Sequence, residues 1–88
     1  MTTVRTATQG SQPTFGGLRV GIMRVGLVDG VALAQLALRT PSDEVVVVLE
    51  QGATFDVDGI GTLHLDAVHA REGTVRGEVT LRFEEAVV

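Results

Sequence analysis

The chain has 88 residues, 44% of them hydrophobic, and a formal charge of −4, which supplies one small core and is too apolar for a disordered chain. It has no cysteine, which excludes a disulfide scaffold, a thiolate metal site and a cysteine nucleophile. Its positive charge is seven arginines without a lysine and its aromatics are three phenylalanines, so neither a phosphate-binding track nor a base-stacking platform is expected and nucleic acid is not an expected partner.

The first residues, Met1-Thr2-Thr3-Val4-Arg5, lack the basic-then-apolar order of a secretion signal, and no apolar run approaches membrane-spanning length. A cytoplasmic location without membrane association is the expectation. Residues 1–14 are polar and rich in turn formers, which reads as a flexible arm or an edge strand over Thr2 to Thr8. Residues 15–85 read as a single β domain, and 86–88 as a tail. Charge is unevenly placed: Arg5, Arg19 and Arg24 stand in the first 28 residues without an acid, and every acid follows from Asp29 onward.

A strand over 15–28, with a bend at Gly21, leads into Asp29-Gly30, the dipeptide that favours a two-residue type I′ reversal. Counting outward from that turn sets Val28 against Val31, Val25 against Ala34, Met23 against Leu36 and Gly21 against Leu38. One face of the hairpin, Met23, Val25 and Leu27 with Ala32, Ala34, Leu36 and Leu38, is then core. The other carries Val20, Ile22, Leu33 and Ala37 around Arg24 and Gln35, an apolar surface with a polar lock at its centre. That composition suits a subunit interface or the floor of a ligand pocket.

Thr40-Pro41-Ser42-Asp43 reads as a loop, and Glu44 to Glu50 as a strand of four consecutive valines and a leucine that is apolar on both faces. Gly52 suits a three-residue reversal that pairs Leu49 with Ala53, Val47 with Phe55 and Val45 with Val57. Further strands are expected over 53–57, 62–70 and 74–84, the last two joined through Arg71-Glu72-Gly73. In that register Leu65 meets Val79, Leu63 meets Leu81, His64 meets Thr80, Asp66 meets Glu78 and Val68 meets Arg76. About six strands with two-sided apolar faces imply an all-β fold, a small antiparallel β-sandwich or flattened β-barrel.

Four polar residues are weaker candidates for a site. His64 and Asp66 share one strand face, with Glu78 opposite, an arrangement that would raise a carboxylate pKa or hold a cation if it lay in a cleft. His69 falls on the apolar face of the same strand, where it reads as a core-edge histidine donating to a backbone carbonyl, or as acid or base at the mouth of a cavity if one opens between the layers. Asp56-Val57-Asp58-Gly59 lacks the other ligands of a calcium loop, the glycines precede no helix, and Ser11 and Ser42 have no His and acid at useful spacing. No metal, cofactor or catalytic set is therefore expected.

The expectation for function is a homo-oligomeric binding or accessory protein, a dimer before a larger assembly, without catalysis of its own. The alternative is a cyclase- or isomerase-like or ligand-binding barrel acting on an apolar small molecule, which requires an opening lined by Met23, Leu36, Phe55 and His69. A repeat unit of an open-ended shell or tube is a third reading.

Overall fold

The computed structural model describes residues 2–69 and 77–86. The described residues form eight strands: β1 (Thr2–Thr8), β2 (Thr14–Phe15), β3 (Leu18–Val28), β4 (Val31–Arg39), β5 (Glu44–Glu50), β6 (Thr54–Val57), β7 (Gly61–His69) and β8 (Glu78–Glu85). They build two four-stranded antiparallel sheets, ordered β1-β8-β7-β6 and β2-β3-β4-β5, packed as a sandwich and not closed into a barrel. The count exceeds six for two reasons. Thr2–Thr8 pairs along the whole edge of β8, and the first long strand is broken by a Gly16-Gly17 turn into β2 and β3.

Alternate side chains of each strand meet between the layers. Leu18, Val20, Ile22, Ala34, Leu36 and Leu38 from one sheet face Leu63, Leu65, Val79, Leu81 and Phe83 from the other, all buried. The Phe15 and Phe83 rings, 5.7 Å apart and tilted by 41°, join β2 to β8 across the gap.

The Asp29-Gly30 turn forms as expected, with φ of 52° and 81°, and the register is as counted from Val28 opposite Val31 back to Arg24 opposite Gln35. Beyond it a β-bulge inserts Met23 as an extra residue, so Ile22 and not Met23 stands opposite Leu36, and Val20 and not Gly21 opposite Leu38. One inserted residue inverts the two faces of everything N-terminal to it. Val20 and Ile22 are core, and Met23 is 46% exposed.

A second bulge lies between Leu65 and Ala67 on β7. Leu65 therefore meets Leu81, Leu63 meets Phe83, His64 meets Arg82, Val68 meets Val79 and His69 meets Glu78, which replaces the expected register and separates Asp66 from Glu78. The extra residue also turns His69 away from the apolar side, where Val68 packs in its place, and leaves it exposed. The expected 71–73 loop, the partners Thr74 and Arg76 and the end of the tail lie outside the described residues, whereas Ala86 donates its N–H to Ile60 O at 3.0 Å.

Glu50-Gln51-Gly52 does reverse the chain, with Gly52 at φ 91° and Ala53 N–H bonded to Glu50 O at 2.9 Å. The strands it joins do not pair, however. β5 belongs with β4 and β6 with β7, so the reversal carries the chain from one layer to the other and Leu49, Val47 and Phe55 approach face to face. Side-chain alternation alone is the same for a hairpin and for such an arch.

Advancing every strand by four converts the order β1-β8-β7-β6 into β5-β4-β3-β2, the other sheet. The equivalence extends to single hydrogen bonds. Gly10 N–H donates to Ile22 O at 2.8 Å and Ile22 N–H to Ser11 O at 2.9 Å; Gly52 N–H donates to Leu65 O at 2.7 Å and Leu65 N–H to Ala53 O at 3.0 Å. Gly10 and Gly52 share the left-handed conformation, with φ of 94° and 91°, and each bulge follows at the same place on the receiving strand. The sandwich is thus two equivalent four-strand halves that exchange their first strands.

Candidate functional site

The two halves supply a comparison inside one molecule, because their outer faces rest on matched backbones. On the β1-β8-β7-β6 sheet the outer face is polar. Arg82 Nε donates to Asp66 Oδ2 at 3.0 Å, Arg82 Nη1 donates to Glu84 Oε1, and Thr62 Oγ1 donates to Asp56 Oδ1 at 2.9 Å. His64 Nε2 lies 3.4 Å from Glu84 Oε1 but is a buried nitrogen with no hydrogen-bond partner among the described residues.

The hydrogen bond to Asp66 is the largest of the influences that raise the Arg82 guanidinium pKa above its already high value, with the Asp66 and Glu84 charges adding to it. A cation whose folded pKa is raised stabilises the fold at every pH below its unfolded value and loses that effect only as pH rises through the folded one. For an arginine that window lies beyond ordinary working pH, so this cluster holds a fixed positive charge among carboxylates. Asp66 is neutralised by Arg82, in place of the expected like-charge contact with Glu78, which instead lies between Thr8 and His69. Among the described residues no group of three or more His, Asp or Glu is arranged to hold a metal ion.

The outer face of the β2-β3-β4-β5 sheet has the opposite character. Register places Gly26, Leu33 and Glu50 at one level, Arg24, Gln35 and Val48 at the next, then Gly21, Ala37 and Val46, then Arg19, Arg39 and Glu44. Met23 at the bulge, Val46 and Val48 are 46%, 49% and 58% exposed, and Val28 and Val31 continue the apolar surface toward the turn. Of the equivalent positions on the other sheet, that of Val46 is again a valine, Val4, 59% exposed, and the others are occupied differently. Asp66 stands where Met23 does, Glu78 where Leu33 does, Arg82 where Ala37 does and Thr6 where Val48 does. Arg24, Leu33, Gln35 and Ala37 are thus brought together on this face as the sequence suggested; Val20 and Ile22 leave it for the core, and Met23, Val46 and Val48 replace them. The valines were legible as a two-sided apolar strand, but their place beside Leu33 and Gln35 depends on β5 pairing with β4.

An open groove of about 410 Å³ runs over the Arg19 end of this face, between Gln12, Gly21, Met23, Ala37 and Val46. A second, of about 400 Å³, opens between the layers at the edge, over Leu38 and Phe55 with Asp43, Asp56 and Asp58 on its rim. Neither is the opening sought between Met23, Leu36, Phe55 and His69. Leu36 is fully buried, whereas Met23 and His69 lie exposed on outer faces of different sheets.

The free edges also differ. Residues 10–13 lie along β3, with Val20 N–H donating to Pro13 O at 2.9 Å, so that side of the sheet is covered. The β5 side is an edge of four valines between Glu44 and Glu50. No protein-family model, curated protein or solved structure matches this chain.

Proposed function

We propose that this domain is a non-catalytic, homo-oligomeric binding or accessory module, a dimer in its simplest form, and that it associates through the outer face of the β2-β3-β4-β5 sheet. The supporting observation is the contrast between matched faces: one backbone plan carries Asp66, Glu78, Arg82 and Thr6 on one side and Met23, Leu33, Ala37 and Val48 on the other. The continuous apolar surface is therefore not a demand of the fold, since among the described residues its twin exposes one large apolar side chain, Val4. Continuous exposed apolar area on a small domain is a mark of an interaction surface. A central Gln35 with Arg24 beside it supplies the few polar groups that fix register in such a contact.

Sedimentation velocity at micromolar concentration tests the reading. The wild-type chain is expected above monomer mass. Leu33→Asp, which would place an unpaired charge in the contact, is expected at monomer mass. Val4→Asp, a change at an exposed position on the polar sheet, is expected to leave the mass at the wild-type value. A monomeric wild type would sink the proposal.

A further inference from the structure

The apolar face is bordered by charges of opposite sign. Its β3 side carries Arg19 and Arg24, its β5 side carries Glu44 and Glu50, and all four are exposed. Arg39 and Glu44 already meet at 3.1 Å across β4 and β5. Arg19, however, stands directly opposite Arg39, a like-charge cross-strand pair that costs stability unless a third group intervenes. Among the described residues Arg19, Arg24 and Glu50 have no ion-pair partner within the chain.

We infer that the occupant of this face is a second copy of the chain, related by a twofold axis running parallel to the strands between the two facing sheets. The inference rests on the self-association proposed above and specifies its geometry. Such an axis sets β4 over β4 of the second copy and β3 over its β5. The Arg margin of each copy then covers the Glu margin of the other, on both sides of the interface at once. The shared levels within the sheet bring Arg19 against Glu44 of the second copy and Arg24 over its Val48, one level from its Glu50. Gln35 meets Gln35 at the axis. Facing sheets pack about 10 Å apart with strands crossing at about 30°, and an arginine reaches across that distance.

The same charges disfavour the other ways of covering the face and its edge. An axis across the strands sets β3 on β3 and β5 on β5, which gathers arginines with arginines and glutamates with glutamates. Antiparallel pairing of two β5 edges in full overlap places Glu44 opposite Glu50 at both ends, where like charges act as guards against edge pairing.

A charge exchange distinguishes these arrangements. Arg24→Glu and Glu50→Arg are each expected to raise the dimer dissociation constant by at least about tenfold, because each sets like charges on both sides of the interface. An equimolar mixture of the two variants is expected to recover wild-type association. In the mixed dimer the two substituted side chains face each other with opposite charge on one side of the interface, and the native Arg24 and Glu50 face each other on the other. Added salt is expected to weaken the wild-type dimer. Both substitutions are at exposed positions, and circular dichroism checks that each variant is folded. A dimeric wild type whose variants associate unchanged, or whose mixture gives no recovery, overturns this axis and leaves self-association standing. A monomeric wild type overturns both.

Discussion

The side-chain Oε1 of Gln51 accepts the Val68 backbone N–H at 2.8 Å, and the side-chain Oε1 of Gln9 accepts the Val25 backbone N–H at 3.2 Å. Both glutamines lie in connections between the layers, and both acceptors serve the strand just past a bulge. On the side away from β4 and β8 the neighbouring strands β2 and β6 end before these donors. The glutamine amide oxygen takes the place of a strand acceptor in each half.

The two bonds differ in surroundings, the Gln9 bond being partly buried and the Gln51 bond exposed. Gln9→Ala is expected to cost about 1–2 kcal/mol, because the Val25 donor loses its partner where water enters poorly, whereas Gln51→Ala costs less. Urea unfolding of the two variants gives the order, and equal losses would contradict this account.

The first bulge is tested by a pair of adjacent truncations. Ile22→Ala opens a cavity against Leu36 and is expected to lower stability by about 2–4 kcal/mol. Met23→Ala is expected to lower it by less than about 1 kcal/mol, since the methionine lies outside the core. Thermal and urea unfolding at a concentration that holds the association state fixed read both. The reverse order is what an unbulged hairpin would give.

The two layers approach closely at Gly77. A Cβ on that residue would lie 2.5 Å from Val25 Cγ1, and Gly77 O also accepts the Gln9 N–H at 2.9 Å. Gly77→Ala is expected to cost about 1–3 kcal/mol through overpacking. Val25→Gly in the same chain is expected to offset part of that loss, because it removes both Val25 Cγ1 and the Val25 Cβ that lies 2.6 Å from the same point, so a double-mutant cycle should show favourable coupling between the substitutions. Strictly additive losses would place the cause elsewhere.

Much of this fold was legible residue by residue. Asp29-Gly30 fixed one hairpin, β-branching marked β5, and the surplus of apolar faces required two layers. What escaped was phase. Met23 and Asp66 are ordinary strand residues in composition, and nothing in their side chains announces that each is an inserted position. The Val20 and Ile22 assignments failed with the first bulge, and the Asp66–Glu78 and His69 assignments with the second. Arg24 kept its face because it lies on the turn side of the bulge, and Leu33, Gln35 and Ala37 kept theirs because the inserted residue is on β3 and β4 carries none. The repeated Gln-Gly at 9–10 and 51–52 was the visible sign of the two halves, but two residues are a faint signal until their matching hydrogen bonds are seen.

Thr2 stands across from Glu84, and among the described residues β1 has β8 as its single neighbour in the sheet. A ribosome releases the chain in the opposite sense to that pairing: the first strand emerges when its only template is still unmade. The meander from β2 to β5 is contiguous and closes through nearby residues, whereas β1 must wait until β8 has been made. Contacts of such long sequence separation are the slow ones to form. For the whole of that interval the polar threonines of β1, rather than the valines of its counterpart β5, are what the nascent chain leaves unpaired.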